Sequence, residues 1–435
     1  MNMENQGLGI REIPKPHKML LLSLQHLFAM FGATILVPVL VGLNPGIALI
    51  SSGIGTLTYI AITKGRLPSY LGSSFAFISP IIAVKAGGGP GAALVGSFLA
   101  GVVYAVVALI IKGSGTKWLM KMLPPIVVGP VIIVIGLGLS GTAVDMAMKK
   151  GGEYDTKYFI VALVTLAITI IASVFFKGFL GLVPILFGIV GGYAFAWTQG
   201  LVNFSDVKKA DWIAAPDFTV PFVSYTPHLT WGIVAIMVPI AVVTLAEHIG
   251  HILVLNKVVN KNFLEEPGLH RSIMGDGVAT MIAAIIGGPP STTYGENIGV
   301  MAITKVFSVF VIGGAAVIAI LFGFIGKISA LISSIPSPVM GGVSILLFGI
   351  IASSGLRTMV ESKVDLSSKR NLVISSVILV LGVGGAMLQI TDEIKLDGMA
   401  LSAIVGVLLN LVLPQDKVEE DVETQGEQPS QVKIS

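Results

Sequence analysis

Residues 287–305 read GGPPSTTYGENIGVMAITK and interrupt an otherwise apolar stretch of chain. The run from Gly287 to Pro290 keeps a helix from starting early, because an interior Gly costs about 1 kcal/mol and a Pro about 3 kcal/mol relative to Ala. From Val300 to Thr304 the residues again suit a helix. The pattern predicts a segment that enters extended and continues as a half-helix. A second interrupted segment lies in the first half of the chain, where LGSSFAFISP (71–80) mixes β-branched and helix-favouring residues and Pro80 removes a backbone donor.

The composition around these breaks sets the solvent. Of 435 residues, 54% are hydrophobic and 12% charged, and the mean hydropathy is +0.90, whereas a soluble domain carries about 25% charged residues. Water would not solvate such a surface, so the chain reads as an all-α integral membrane protein. At membrane depth an extended backbone is tolerable only where it lines a cavity, and its free N–H groups there, with the positive ends of half-helices, suit the carbonyl oxygens of a ligand. The chain contains no Cys, which excludes disulfides, thiolate metal sites and thiol nucleophiles.

Eleven apolar segments stand out, near 19–42, 46–63, 90–111, 124–144, 158–176, 178–199, 230–255, 306–326, 337–355, 370–389 and 396–413. Shorter or interrupted ones at 67–84, 272–288 and 290–305 bring the expected count to fourteen spans. With the N-terminus in the cytoplasm and the side alternating at each span, 19 of the 27 Lys and Arg fall inside, which supports the even count and two cytoplasmic termini. Residues 1–18 are polar, carry Arg11, Lys15 and Lys18, and precede an apolar run too long for a cleaved signal peptide. The acidic end, 414–435, has no apolar period and reads as a disordered tail.

Internal similarity suggests two halves. LPPIVVGPV from Leu123 resembles IPSPVMGGV from Ile335, Gln25-His26 parallels Glu247-His248, and GSSFAFISP from Gly72 parallels STTYGENIG from Ser291. Their shared spacing of about half the chain predicts two seven-span repeats, and an odd number of spans makes the repeats inverted.

Two acids sit where acids are costly, at about 2.5–3.5 kcal/mol each near a helix centre. Glu247 lies in VVTLAEHIGHILVL, and Glu296 lies just beyond the break, flanked by Gly295 and Gly299. His251 follows Glu247 by four residues and shares its helix face, so the two form a natural proton-coupling pair, while His248 is rotated away. Zinc is disfavoured, since no third ligand is evident and the HExxH order is absent. Gln25 and His26 suit either a structural hydrogen bond or a ligand contact. Asp145, Lys85 and Asp276 are explained by their places near span ends. Two acids, hydroxyls, backbone donors and the aromatics Phe75 and Tyr294 suit a flat polar molecule with N–H donors and carbonyl acceptors, such as a nucleobase. A carboxylate suits the site poorly, because no Arg or Lys is expected in it. An intramembrane enzyme lacks a nucleophile, a metal set or a nucleotide loop, and a passive channel has no need of paired broken segments.

At these residues the sequence resembles the nucleobase/ascorbate transporter family over nearly its whole length. Glu296, Asn297, Gly299, Thr304 and Lys305 match the family signature of an acid or amide followed by Asn-x-Gly-x-x-x-x-Thr and a basic residue, and Gln25-His26 match its pair in the first span. The strings SLQHLFAMFGATILVP, YLGSSFAFISP, AEHIGHILV and TTYGENIGVMAITKV look like the uracil branch. The resemblance implies short β-strands opening spans three and ten, and a core domain at 19–111 and 230–327 working against a gate domain at 112–229 and 328–413. It implies proton-coupled uptake of uracil across the cell membrane, with purines such as xanthine as the alternative substrate. No cofactor, catalytic residue or nucleic-acid partner is implied, and a homodimer through the gate is compatible. Carried over residue by residue, Glu247 and Glu296 would bond the ring, the backbone of Phe75 and Gly295 would meet its polar edge, Tyr294 and Ala33 would line the pocket, and His251 would serve proton coupling.

Overall fold

The computed structural model describes residues 7–178, 180–390 and 395–414. The expected tail, apart from Pro414, and the first six residues lie outside the described residues. Its longer helices are α1 (Pro16–Val41), α2 (Pro45–Ile62), α3 (Ile78–Ser114), α4 (Pro125–Gly138), α5 (Thr156–Phe175), α6 (Pro184–Thr198), α7 (Ile240–Val259), α8 (Leu269–Ile286), α9 (Gly295–Thr304), α10 (Val309–Gly323), α11 (Ser337–Glu361), α12 (Lys369–Val383) and α13 (Gly398–Val412). Two three-residue strands, β1 (Leu71–Ser73) and β2 (Ser291–Thr293), precede α3 and α9. Among the described residues, eight helices, counted across kinks, are long and apolar enough to cross a membrane, and one further pair, Val309–Gly323 with Gly326–Ser333, bends by 82°. The protein is a multi-pass helical membrane protein.

Local chemistry sets the ends of these elements. Asn44 caps α2, its Oδ1 accepting from the Gly46 N–H at 2.8 Å, and Pro45 fills the first turn, where no N–H is needed. Helix α1 stops at Gly42, whose φ of 63° lets its N–H fold back on the Pro38 and Val39 carbonyls. Inside α3, Gly89 has a φ of 71° and Pro90 follows, so two helices meet end to end, near the gap between the expected segments at 67–84 and 90–111. The expected segment at 370–389 ends early, at Val383, where Gly384 and then Gly385, with a φ of 67°, stop the helix. Conversely, α11 runs beyond the expected 355 to Glu361.

The helices pack in two groups. In one, α8 lies against α2 and α3, and α10 lies against α1 and α2; in the other, α11 lies against α4 and α5, and α12 against α13. Each group has a crossing with no room for a side chain. A Cβ on Gly101 of α3 would lie 2.7 Å from the Gly277 carbonyl oxygen of α8, and one on Gly355 of α11 would lie 2.5 Å from the Gly129 carbonyl oxygen of α4. Such close backbone approach is how membrane helices gain dispersion contact where lipid offers no hydrophobic drive. The similar motifs at Pro124 and Pro336 occupy matching places: both prolines are extended caps, with ψ of 165° and 144°, at the starts of α4 and α11.

Strands β1 and β2 pair antiparallel, with Leu71 opposite Thr293, Gly72 opposite Thr292 and Ser73 opposite Ser291. All six residues are buried. The ladder satisfies the backbone of both broken segments at once, and it extends on either side through Ser74 N–H to the Pro290 carbonyl at 2.8 Å and Tyr294 N–H to the Tyr70 carbonyl at 3.1 Å.

Candidate functional site

Beyond the ladder, the two chains part into helices whose first N–H groups lack intrahelical partners. The β2 side turns directly into α9, which puts Glu296 in the first turn, where the helix dipole favours a carboxylate. The β1 side passes through a single 3₁₀ turn, Phe75–Phe77, before α3. Both starts face a cavity of about 330 Å³, to which Phe75, Tyr294, Gly295, Glu296 and Gly299 contribute from the broken segments and Glu247 and His251 from α7. Its far wall is α11, through Ile350, Ile351, Ser353, Ser354 and Arg357, with Ile132 of α4. Another void of about the same volume, beside Phe98 and Tyr225, carries no ionisable group apart from that tyrosine.

The two acids meet this cavity differently. Glu247 is buried at 5% exposure, and its Oε2 has no hydrogen-bond partner among the described residues. An unpaired buried polar atom costs about 1–3 kcal/mol, more when charged, so a ligand bond there recovers energy that the protein alone leaves unsatisfied. Glu296 and Gly295 are half-buried and Gly299 is exposed. Gly299, where an added Cβ would meet nothing within 4 Å, keeps the approach to α9 open on that side.

Aromatic groups hold the shape. The Tyr294 hydroxyl donates to the Ser73 carbonyl at 3.1 Å, carrying its ring across Gly72, where a Cβ would lie 2.5 Å from that hydroxyl oxygen. Phe75 packs edge-on against Phe348 of α11, with ring centroids 5.9 Å apart.

Behind the cavity lies a line of buried polar groups. His251 Nδ1 is 3.4 Å from Thr293 Oγ1, and Thr293 Oγ1 is 3.4 Å from His248 Nδ1. His248 in turn pairs with Asp276 through Nδ1 and Oδ2 at 2.8 Å and meets Ser272 Oγ at 2.9 Å through Nε2. This corrects the sequence reading of Asp276 as a residue explained by a helix end: it is buried within α8 because its partner arrives from α7. His248 correspondingly has a definite partner. Glu247 and His251 share a helix face and the cavity, but no hydrogen bond joins them directly.

The remaining motif residues brace the half-helix. His26 Nδ1 lies 2.9 Å from Asn297 Oδ1, joining α1 to α9, which is the structural one of the two roles open to it. Gln25 is buried beside it in the chain. Thr304 Oγ accepts from the Val306 N–H at 3.2 Å where α9 ends, and Lys305, with a φ of 57°, turns the chain there. Ala33 is fully buried in α1 and is not among the residues lining the cavity. A second correction concerns charge: Arg357 lines the cavity, although no basic residue was expected in it. Its Nε donates to Glu361 Oε1 at 2.5 Å, and Glu361 also receives Lys257 of α7 at 3.3 Å.

Residues 17–391 match the model of a permease family. The chain is 65% identical to the uracil permease of Bacillus subtilis (strain 168) over 426 residues, covering 97% of this chain and 98% of that one. It is 47% identical to the uracil permease of Escherichia coli (strain K12), covering 94% of each. Among solved structures, it resembles the transmembrane domain of a cyanobacterium bicarbonate transporter, BicA, with a TM-score of 0.66 at 13% identity, covering 92% of this chain and 99% of that one. It also resembles the murine Slc26a9 anion transporter in the inward-facing state, with a TM-score of 0.64 at 11% identity, covering 92% of this chain and 68% of that one. At such identities these structures speak for the fold alone. The family match over most of the chain and the two close, nearly full-length relatives together settle its membership: this is a membrane permease rather than an enzyme, and it belongs to the nucleobase/ascorbate transporter family.

Proposed function

We propose that the protein takes up uracil together with protons across the cytoplasmic membrane by alternating access. One observation carries the reading: a buried carboxylate with an unpartnered oxygen, Glu247, faces the same cavity as Glu296 and the free N-terminal ends of two broken segments. Uracil offers the complement, with two ring N–H groups for the carboxylates and two carbonyl oxygens for the backbone N–H groups of Phe75 and Gly295. The relatives named as uracil permeases support the pyrimidine over a purine.

Proton coupling follows from charge. A core carrying two carboxylates through apolar surroundings meets a cost of about 2.5–3.5 kcal/mol per charge. A proton taken with the neutral substrate removes one such charge. Glu247 is the proposed carrier, and His251, which lines the same cavity and touches Thr293, is the proposed partner that exchanges the proton.

In this reading fourteen segments cross the membrane as two inverted repeats, with both termini in the cytoplasm. The segments include β1 with the first half of α3, the second half of α3, β2 with α9, and the shorter helices α6, α12 and α13. The core domain, 19–111 and 230–327, carries the ladder and the acids, and the gate domain, 112–229 and 328–413, supplies the α11 wall. Reconstituted protein should accumulate labelled uracil against its gradient when the vesicle interior is alkaline, and lose that accumulation when the pH gradient is collapsed. Uptake indifferent to the gradient would exclude coupling, and uptake of labelled xanthine that excess uracil does not compete, with no uptake of uracil itself, would exclude the substrate.

A further inference from the structure

A groove of about 670 Å³ runs between α2 and α10, where both helices leave apolar side chains exposed. Leu57 and Ile60 form one wall and Phe310 and Val317 the other, and Leu57, Phe310 and Val317 are each more than a third exposed. The floor is Gly313, where an added Cβ would meet the Ile60 and Leu57 side chains at an ordinary 3.8 Å, so the groove is open at that point.

One end of this apolar groove is cationic. Arg11 and Lys64 line it. Arg11 is held in place by two backbone carbonyls at the end of α2, its guanidinium donating to Lys64 at 2.7 Å and to Gly65 at 3.3 Å. Lys64 itself stands in a left-handed turn, with a φ of 57°, and its exposed ammonium has no partner among the described residues. The nearest acid in the chain, Glu12, turns its carboxylate to the Gly9 N–H at 3.0 Å. An adjoining cavity of about 340 Å³ shares Arg11 and adds Lys261, while its Arg66 is paired with Glu266.

We propose that this groove binds one anionic phospholipid, with an acyl chain along Gly313 and the phosphate on Lys64 and Arg11. An acyl chain gains little by leaving bulk lipid, so selection among lipids rests on the head group. Each Lys or Arg near an anionic surface is worth about 1 kcal/mol, which is roughly fivefold in affinity, or about 25-fold for the pair. The bound lipid would also lie against the joint where the N-terminal segment holds the start of α10, through Phe307 N–H to the Leu8 carbonyl and Val309 N–H to the Ile10 carbonyl, both at 2.9 Å.

The test is native mass spectrometry of the delipidated full chain titrated with dioleoyl phosphatidylglycerol, dioleoyl phosphatidylcholine or soluble glycerol phosphate. Phosphatidylglycerol should bind about 25-fold more tightly than phosphatidylcholine. Lys64→Asn, which retains a residue suited to positive φ, should weaken phosphatidylglycerol about fivefold and phosphatidylcholine hardly at all. Gly313→Leu, whose added Cβ meets only Ile60 and Leu57 within 4 Å, should weaken both lipids while uracil binding persists. Equal affinity for the two lipids, or phosphatidylglycerol binding unchanged by Lys64→Asn, would overturn the proposal, as would glycerol phosphate competing as strongly as the lipid. Lys64→Asn alone decides the matter if Gly313→Leu does not fold.

Discussion

Replacing Glu296 by Ala separates its part in binding from its part in the fold. Its carboxylate stands in the first turn of α9 and lines the cavity, half-buried. A hydrogen bond to a charged group contributes about 1.5–3 kcal/mol, so Glu296→Ala should raise the uracil Kd by about 10- to 150-fold. Glu296→Gln keeps the length and one acceptor oxygen and should lose nearer fivefold, about 1 kcal/mol. The fold should notice little, because a carboxylate at a helix N-terminus adds only about 0.3–1 kcal/mol. Isothermal titration of purified protein with uracil, beside a thermal melt of each variant, makes the comparison. A folded Glu296→Ala protein that binds uracil within twofold of the parent would remove Glu296 from the list of ligands.

Three other outcomes follow from the same geometry. His251→Leu should depress the proposed proton-driven uptake more than equilibrium uracil binding, and equal losses would make His251 a ligand contact only. Asp276→Ala leaves the buried His248 Nδ1 without its 2.8 Å partner and should destabilise the protein by about 1–3 kcal/mol, read as a lowered melting point; the double variant with His248→Ala should cost clearly less than the sum of the two single changes. Gly72→Ala places a methyl group against the Tyr294 ring, an overpacking worth about 1–3 kcal/mol, and should weaken uracil binding although residue 72 touches no ligand; unchanged affinity would show that the ring position is not set there.

What the sequence disclosed and what it hid divide by range. The breaks were legible because Gly287–Pro290 and Pro80 act locally on backbone torsion, and Glu247 and Glu296 were legible because a lone acid in an apolar run has no local excuse. The shared face of Glu247 and His251 follows from helical spacing alone, and both line the cavity. Asp276 was misjudged for the opposite reason: its partner, His248, belongs to another helix, and nothing in the order of residues brings α7 to α8. Arg357 escaped notice because the expected segment stopped at 355, whereas the helix runs on through the Arg357–Glu361 pair to reach the cavity edge. The i, i+4 spacing of that pair was the signal available to extend the segment. His26 could not be assigned without its partner, Asn297, which lies 271 residues away.

The antiparallel ladder has a consequence for how the molecule is made. Tyr294 and Ser73 are 221 residues apart in sequence, so when the first half has been synthesised, β1 has nothing to pair with. An open strand edge is not tolerated in hydrocarbon, and contacts of such long range are the slow ones to form. The nascent first half must therefore keep that segment shielded or outside the lipid until β2 emerges. Substitutions that weaken the ladder should first appear as chains lost during biogenesis.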